Sequence, residues 1–278
     1  WKGRWIRMAV EIILSETSTR VIRTTKKSIT YTIKVNGSSI TPDDSKMQVT
    51  SSSPTIATYD VATKQLSGVG TGSTQIFFSY NDPTGGFGSA ILTVEVLPVM
   101  EIKLSSSNIN LQRNTKEQLT YQVLKDGTPV SDTLVEINIT PPEYVSYDND
   151  LKEVTGLLTG TSTVEFSTNN GVEDITSSCI VRVDPIYRLE ISKASVTVKT
   201  GKTDRVVPTL YKDDQQISNT DIQVSSDNSS IATYDLSSNM VTGVKYGETS
   251  IRLSYDDGYD GINKVINVLV KPVYTMEI

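Results

Sequence analysis

One stretch occurs three times and limits what this chain can fold into. Ser53-Pro54-Thr55-Ile56-Ala57-Thr58-Tyr59-Asp60, with its continuation to Tyr80, returns from Asn228 to Tyr255. A more divergent copy runs from Pro141 to Thr168 and keeps Tyr147, Asp148, Gly156, Gly160 and Phe166. Gly68, Gly156 and Gly243 stand 88 and then 87 residues apart, and Pro98, Pro185 and Pro272 stand 87 and 87 apart. Each copy opens on a short apolar run around an acid: Val10-Glu11-Ile12, Met100-Glu101-Ile102 and Leu189-Glu190-Ile191. Several anchors with one period mean tandem duplication. The expected modules are 9–99, 100–186 and 187–273. Residues 1–8 are read as a linker or the end of a preceding domain, and 274–278 (with Met276-Glu277-Ile278) as the start of a fourth module, so the chain reads as a fragment of something longer.

Within each copy the apolar residues alternate with period two, the mark of half-buried strands. Ile29, Tyr31 and Ile33 point one way and Thr30, Thr32 and Lys34 the other; Leu119, Tyr121, Val123 and Val206, Pro208, Leu210 repeat this. Asn36-Gly37 and Asp126-Gly127 then supply turn residues that tolerate positive φ. Asp213-Asp214 takes their place in the third copy, where a different turn is expected. The next strand carries Val49, Ile137 and Val224, and the last brings Leu92, Val94, Val96, then Cys179, Val181, Val183, then Ile266, Val268, Val270. No helical period of useful length occurs, which excludes parallel α/β folds. About seven short strands with frequent turns describe an all-β chain of antiparallel β-sandwiches, three in tandem. The proline junctions are short, so a semi-rigid extended rod is expected, each module roughly 35–45 Å long.

Composition narrows the function. The sequence has no histidine, which removes the commonest general base and metal ligand, and with them Ser-His-Asp and Cys-His nucleophile systems. Its single cysteine, Cys179, permits no intrachain disulfide. Net charge is −6 without a basic cluster, so nucleic acid and anionic membranes are not expected partners. No apolar run approaches the roughly 20 residues of a membrane span, so direct membrane insertion is not expected. No nucleophile is set beside an acid or base partner, and the chain is read as non-enzymatic.

The stretches Ser53–Tyr80 and Asn228–Tyr255 resemble the bacterial immunoglobulin-like domain, group 2. Ser225-Ser226-Asp227-Asn228-Ser229-Ser230-Ile231-Ala232-Thr233 follows that family's pattern, as do Gly243-Val244-Lys245-Tyr246-Gly247 and Thr249-Ser250-Ile251. The middle copy departs, with Pro141-Pro142-Glu143-Tyr144 in place of the serines. The family usually has tryptophan before the serines; Val49, Ile137 and Val224 stand there, a smaller core plug for which Tyr59, Tyr147 and Tyr234 would compensate. The resemblance covers residues 9 to 273 and implies an immunoglobulin-like sandwich. It implies a spacer or adhesive role in a larger extracellular protein, at a bacterial cell surface or on a phage virion, with cell-surface protein, glycan or neighbouring virion subunits as partners. The alternative is a set of carbohydrate-binding accessory modules of a large secreted enzyme.

The recurring residues carry structural expectations. Tyr59, Tyr147 and Tyr234 are read as packing tyrosines with the hydroxyl bonded to backbone, in preference to an exposed ladder for sugar stacking. Asp60, Asp148 and Asp235 are read as caps of the following turn, and Gly68, Gly156 and Gly243 as part of the same signature. The loop Asp256-Asp257-Gly258-Tyr259-Asp260-Gly261 is the densest acidic turn. Asp256, Asp257 and Asp260 are calcium candidates, weighed against a solvated hairpin because the equivalent loops lack the acids; no cofactor is otherwise expected. Cys179 is read as a small buried hydrophobe. Function is expected where the copies disagree, at loops 81–88, 168–175 and 256–263 and at Pro141-Pro142.

Overall fold

The computed structural model describes residues 8–83, 85–131, 134–258 and 261–274. The expected continuation into Met276-Glu277-Ile278, and most of the linker before Ala9, lie outside them. Among the described residues each repeat carries ten strands. The first has β1 (Val10–Leu14), β2 (Ser18–Ile22), β3 (Lys26–Ser28), β4 (Tyr31–Val35), β5 (Ser38–Ile40), β6 (Met47–Ser51), β7 (Ala57–Asp60), β8 (Gln65–Gly68), β9 (Gly72–Asn81) and β10 (Phe87–Leu97). The second has β11 (Met100–Leu104), β12 (Asn108–Gln112), β13 (Lys116–Gln118), β14 (Tyr121–Lys125), β15 (Thr128–Val130), β16 (Glu136–Thr140), β17 (Val145–Asp148), β18 (Glu153–Gly156), β19 (Gly160–Asn169) and β20 (Asp174–Asp184). The third has β21 (Tyr187–Ile191), β22 (Ser195–Lys199), β23 (Thr203–Arg205), β24 (Pro208–Lys212), β25 (Gln215–Ile217), β26 (Gln223–Ser226), β27 (Ala232–Asp235), β28 (Met240–Gly243), β29 (Gly247–Tyr255) and β30 (Ile262–Lys271). The one helical element described is a single 3-10 turn, Asp44–Lys46.

In the first repeat the sheets run β1-β4-β5, β2-β10-β9-β6 and β3-β8-β7, and in the third β21-β24-β25, β22-β30-β29-β26 and β23-β28-β27. Three small sheets therefore replace the expected two, and ten short segments replace about seven strands. One source of the extra segments is a break in the opening strand. β1 pairs antiparallel with β4, but after Ser15–Thr17 the chain changes sheet, and β2 pairs parallel with β10. β22 pairs parallel with β30 in the same way. A strand that switches sheets ties the two faces together and covers an edge of each.

The described chain gathers into two compact units. One comprises the residues up to Ser107, Leu119–Thr140 and Thr163–Ile180; the other comprises Asn108–Gln118, Pro141–Ser162 and the residues from Val181 on. The division falls inside the second repeat and not at a proline junction.

Alternation places the cores. In the first unit Ile29, Ile33, Leu66, Ile76, Phe78, Leu92 and Val94 are sealed, and so are Leu119, Val164, Phe166 and Cys179. The second unit seals Val145, Val154, Val181, Val206, Leu210, Val241, Ile251, Leu253 and Ile266. Each such aliphatic or aromatic side chain contributes about 1.5–3 kcal/mol by leaving water. The expected plug residues behave differently. Val49 and Ile137 are half-buried and Val224 is exposed; two positions earlier, Met47 and Ile222 fill the space instead. Positions two apart in a strand share a face, so the inward face is the expected one and its plug lies two residues nearer the strand's start. Tyr59 adds to the plug, edge-on to Phe78 with ring centroids 4.9 Å apart.

Candidate functional site

The tip of the hairpin β4–β5 and its equivalents is where sequence and contact converge. Asn36 and Gly37 have φ of +50° and +84°, Asp126 and Gly127 +49° and +79°, and Asp213 and Asp214 +49° and +66°. All three are the same two-residue turn with left-handed backbone at both positions. The expected difference in the third repeat is thus corrected: Asp213-Asp214 makes the same turn, with an aspartate carrying the conformation that glycine adopts freely.

In each repeat the first turn residue clasps the chain where it enters that repeat. Asn36, Asp126 and Asp213 donate their backbone N–H to the carbonyls of Ala9, Val99 and Ile186, at 2.8, 2.9 and 2.9 Å. The same three side chains accept the N–H of Ala9, Val99 and Ile186 at 3.1, 3.0 and 3.0 Å. A closed ring of two hydrogen bonds fixes each opening strand to its turn.

At the second and third repeats the turn acid also receives groups from the repeat before it. Arg23 Nε donates to Asp126 Oδ1 at 2.8 Å and the Thr71 hydroxyl to Oδ2 at 2.9 Å. Removal from water pushes the Asp126 carboxyl up, but the Val99 N–H, the Thr71 hydroxyl and the Arg23 guanidinium outweigh it and hold the group below the usual carboxylate range. At the next junction the Thr159 hydroxyl donates to Asp213 Oδ2 at 2.5 Å. Arg113 sits where Arg23 sits, yet its Nε donates to the Leu157 carbonyl at 3.1 Å, and its guanidinium comes only within 3.9 Å of Asp214. The first junction lies wholly in the first compact unit and the second wholly in the second.

The hairpin tips singled out as variable loops lie at these same places. A Cβ on Gly88 would stand 2.8 Å from the Val10 carbonyl oxygen, so β10 begins tight against the opening strand. Gly171 lies against Arg20 and Leu97 of the first repeat. Asp257 and Gly258 line a polar cleft of about 550 Å³ with Asn110, Arg182, Asp184, Tyr187 and Lys212. At the equivalent of Asp184 the first repeat has Leu97, beside the hairpin tip, where a Cβ on Gly171 would stand 3.8 Å from its side chain.

The recurring tyrosines are half-buried. Tyr59 donates its hydroxyl to the Ile29 carbonyl at 2.6 Å and Tyr234 to the Val206 carbonyl at 2.8 Å. Burial, with Asp44 and Asp60 nearby, pushes the Tyr59 hydroxyl up to about 12; burial and Asp235 do the same to Tyr234. Tyr147 is half-buried on β17 beside Val154 of β18. Asp60 accepts from the Ala62 N–H at 2.9 Å and the Thr63 hydroxyl at 2.8 Å. Asp148 accepts from the N–H groups of Asp150 and Leu151, and Asp235 from the Ser237 N–H and the hydroxyls of Ser237 and Ser238. Gly68, Gly156 and Gly243 are buried at points of close approach. A Cβ on Gly68 would stand 2.8 Å from the Ile22 carbonyl oxygen, and one on Gly156 3.0 Å from that of Gln112.

Of the calcium candidates, Asp256 accepts the Gly258 N–H at 2.9 Å and Asp257 the Gly261 N–H at 3.0 Å; Asp260 lies outside the described residues. No group of three or more Cys, Asp or Glu able to hold a metal occurs among the described residues. Cys179 is fully buried on β20, and burial pushes its thiol up. No described helix is long and apolar enough to cross a membrane.

Sequence reasoning found the turn residues but missed Arg23, Thr71, Arg113 and Thr159. A signal was present: Thr-Gly opens β9 and β19, and arginine follows β2 and β12. The third repeat has Tyr246 and Thr200 at the same positions.

The model of the bacterial Ig-like domain (group 2) matches residues 186–266, most of the third repeat. No curated protein matches the sequence. Among solved structures, domains 1–6 of the surface layer protein SbsC are 17% identical with a TM-score of 0.29, the likeness covering 94% of this chain and 40% of that one. Mouse cadherin-23 EC22-24 is 12% identical with a TM-score of 0.33, over 95% of this chain and 99% of that one. Drosophila N-cadherin EC1-4 is 9% identical with a TM-score of 0.37, over 95% and 76%. This chain therefore spans less than half of the SbsC structure.

Proposed function

We propose that this chain is a non-catalytic structural and adhesive segment of a larger extracellular protein. Its repeats act as a spacer that carries a display surface away from an anchor. The observation that carries the reading is the clasp: in two successive repeats a turn acid holds both its own opening strand and side chains of the repeat before it. Such a contact turns a flexible proline linker into a defined joint, which a spacer needs and a string of independent domains does not. The group 2 match to residues 186–266 supports an extracellular or surface setting; the finer alternatives of this reading are a bacterial surface adhesin stalk and a phage tail or capsid appendage. In either, weak contacts per repeat would add by effective concentration, and the partners would be surface proteins, glycans or neighbouring subunits, with neither nucleic acid nor a bilayer among them. No cofactor is part of this reading, and calcium is not required by it.

Spin labels placed at Ser39 and at Gln216 test the spacer. A narrow distance distribution, broadened in the double variant Asp126→Ala and Asp213→Ala, is the expected result. A broad distribution that the double variant leaves unchanged would sink the reading. The cleft beside Tyr187, with acid, base and aromatic groups together, favours carbohydrate binding as a second reading; a glycan array without hits would remove it.

A further inference from the structure

The three clasps are built alike, but the first holds an amide where the others hold an acid. We propose that Asn36 is a site of spontaneous deamidation, which converts the turn of the first repeat into the acidic form that Asp126 and Asp213 already carry. Asn36 and Gly37 are both exposed, and a Cβ placed on Gly37 would meet nothing within 4 Å. Nothing crowds the Gly37 Cα, and glycine adds no side chain to hinder ring closure. The Gly37 nitrogen gives up its proton to water and bonds to Asn36 Cγ. The Cγ–Nδ2 bond breaks, ammonia leaves, and a succinimide results. Water then opens the ring at one carbonyl to give aspartate or at the other to give the isoaspartyl linkage. The sum is asparagine plus water to acid plus ammonia, with no other reactant.

A second Asn-Gly pair provides the contrast. At Asn170-Gly171 the nitrogen that would attack is engaged, because the Gly171 N–H donates to Asn169 Oδ1 at 2.6 Å. Asn170 Oδ1 accepts the N–H groups of Val172 and Glu173, both at 2.9 Å, and its amide nitrogen is buried. Closing the ring there requires the whole tip to open. At Asn36 the side chain must release only the Ala9 N–H.

The test is peptide mapping of the intact folded chain after weeks at physiological temperature and mildly alkaline pH. Asn36 is expected to convert on the order of tenfold faster than Asn170, since less structure must open. Equal conversion of the two, or no conversion at Asn36 while the unfolded chain converts there, would overturn the proposal. Chromatography then separates the two products. Aspartate at a detectable share supports the acidic turn, whereas an isoaspartyl product alone, which inserts an extra backbone methylene, refutes it. As an independent control, Asn36→Asp should keep the unfolding midpoint and the protection of the Ala9 amide; loss of that protection would show that the turn does not accept the acid.

Discussion

The two junctions use one backbone device and cover it differently. At the first, Asp126 receives the Val99 N–H, the Thr71 hydroxyl and the Arg23 guanidinium, and Leu97 lies beside the hairpin tip at Gly171. At the second, Asp213 receives the Ile186 N–H and the Thr159 hydroxyl, while Arg113 is spent on the Leu157 carbonyl and a polar cleft opens where the apolar contact would be. Turn chemistry sets the acceptor in each repeat. The threonine before β9 or β19 and, at the first junction only, the arginine after β2, both in the repeat before, set the side-chain donors. The turn backbone and the threonine are kept at both junctions and the arginine contact is not, so the first junction is expected to be the tighter of the two.

The largest effect should come from the glycines that bring the donor into place. Gly68→Ala puts a methyl 2.8 Å from the Ile22 carbonyl oxygen, one residue from Arg23, and the backbone must shift. We expect a loss of about 2–3 kcal/mol in urea unfolding, with a smaller loss for Gly156→Ala, where the nearest oxygen is at 3.0 Å. Equal losses would mean that the two junctions are equally tight. Next in size, Asp126→Ala strands three donors and Asp213→Ala two. Exchange of the Val99 amide should therefore accelerate more in the first variant than exchange of the Ile186 amide in the second. The reverse order would break the comparison.

Much of the fold was legible. Alternation named the buried faces of β4 and β10 and of their equivalents, because a period of two admits one solution wherever one face is buried. The sheet switch after Ser15 was not legible, since a three-residue break looks like ordinary turn residues. Val224 misled because alternation names a face and not which residue along that face is covered; Ile222, two positions earlier, is the buried one. The acid of each junction was visible as a turn residue; its role was not, because the partners Arg23 and Thr71 lie about 100 and 55 residues away and no local rule joins them.

Acid should separate the clasp from its neutral copy. A carboxyl held below its ordinary value stabilises the folded form above the unfolded pKa of about 3.9, and that contribution is lost only as pH falls through the lower folded value. Val99 amide protection should therefore persist through mildly acidic solution and fall below the usual carboxylate range. In Asp126→Asn the side-chain oxygen still caps Val99, and this acid step should vanish. A step retained in the variant would assign the change to another group.

The smallest effect tests whether the second turn is strained by its own sequence. Asp214 holds φ of +66° without being glycine, and its side chain is 83% exposed, 3.9 Å from both Arg113 and Arg188. Exposed pairs at that distance contribute about 0–0.5 kcal/mol, less than the roughly 1 kcal/mol cost of the left-handed conformation. Asp214→Gly should thus raise stability by about 0.5 kcal/mol and make the turn match Asp126-Gly127. If stability falls instead, the two arginines hold the second junction through Asp214. The looser joint would then be an ionic one, with its guanidinium moved one residue along the turn.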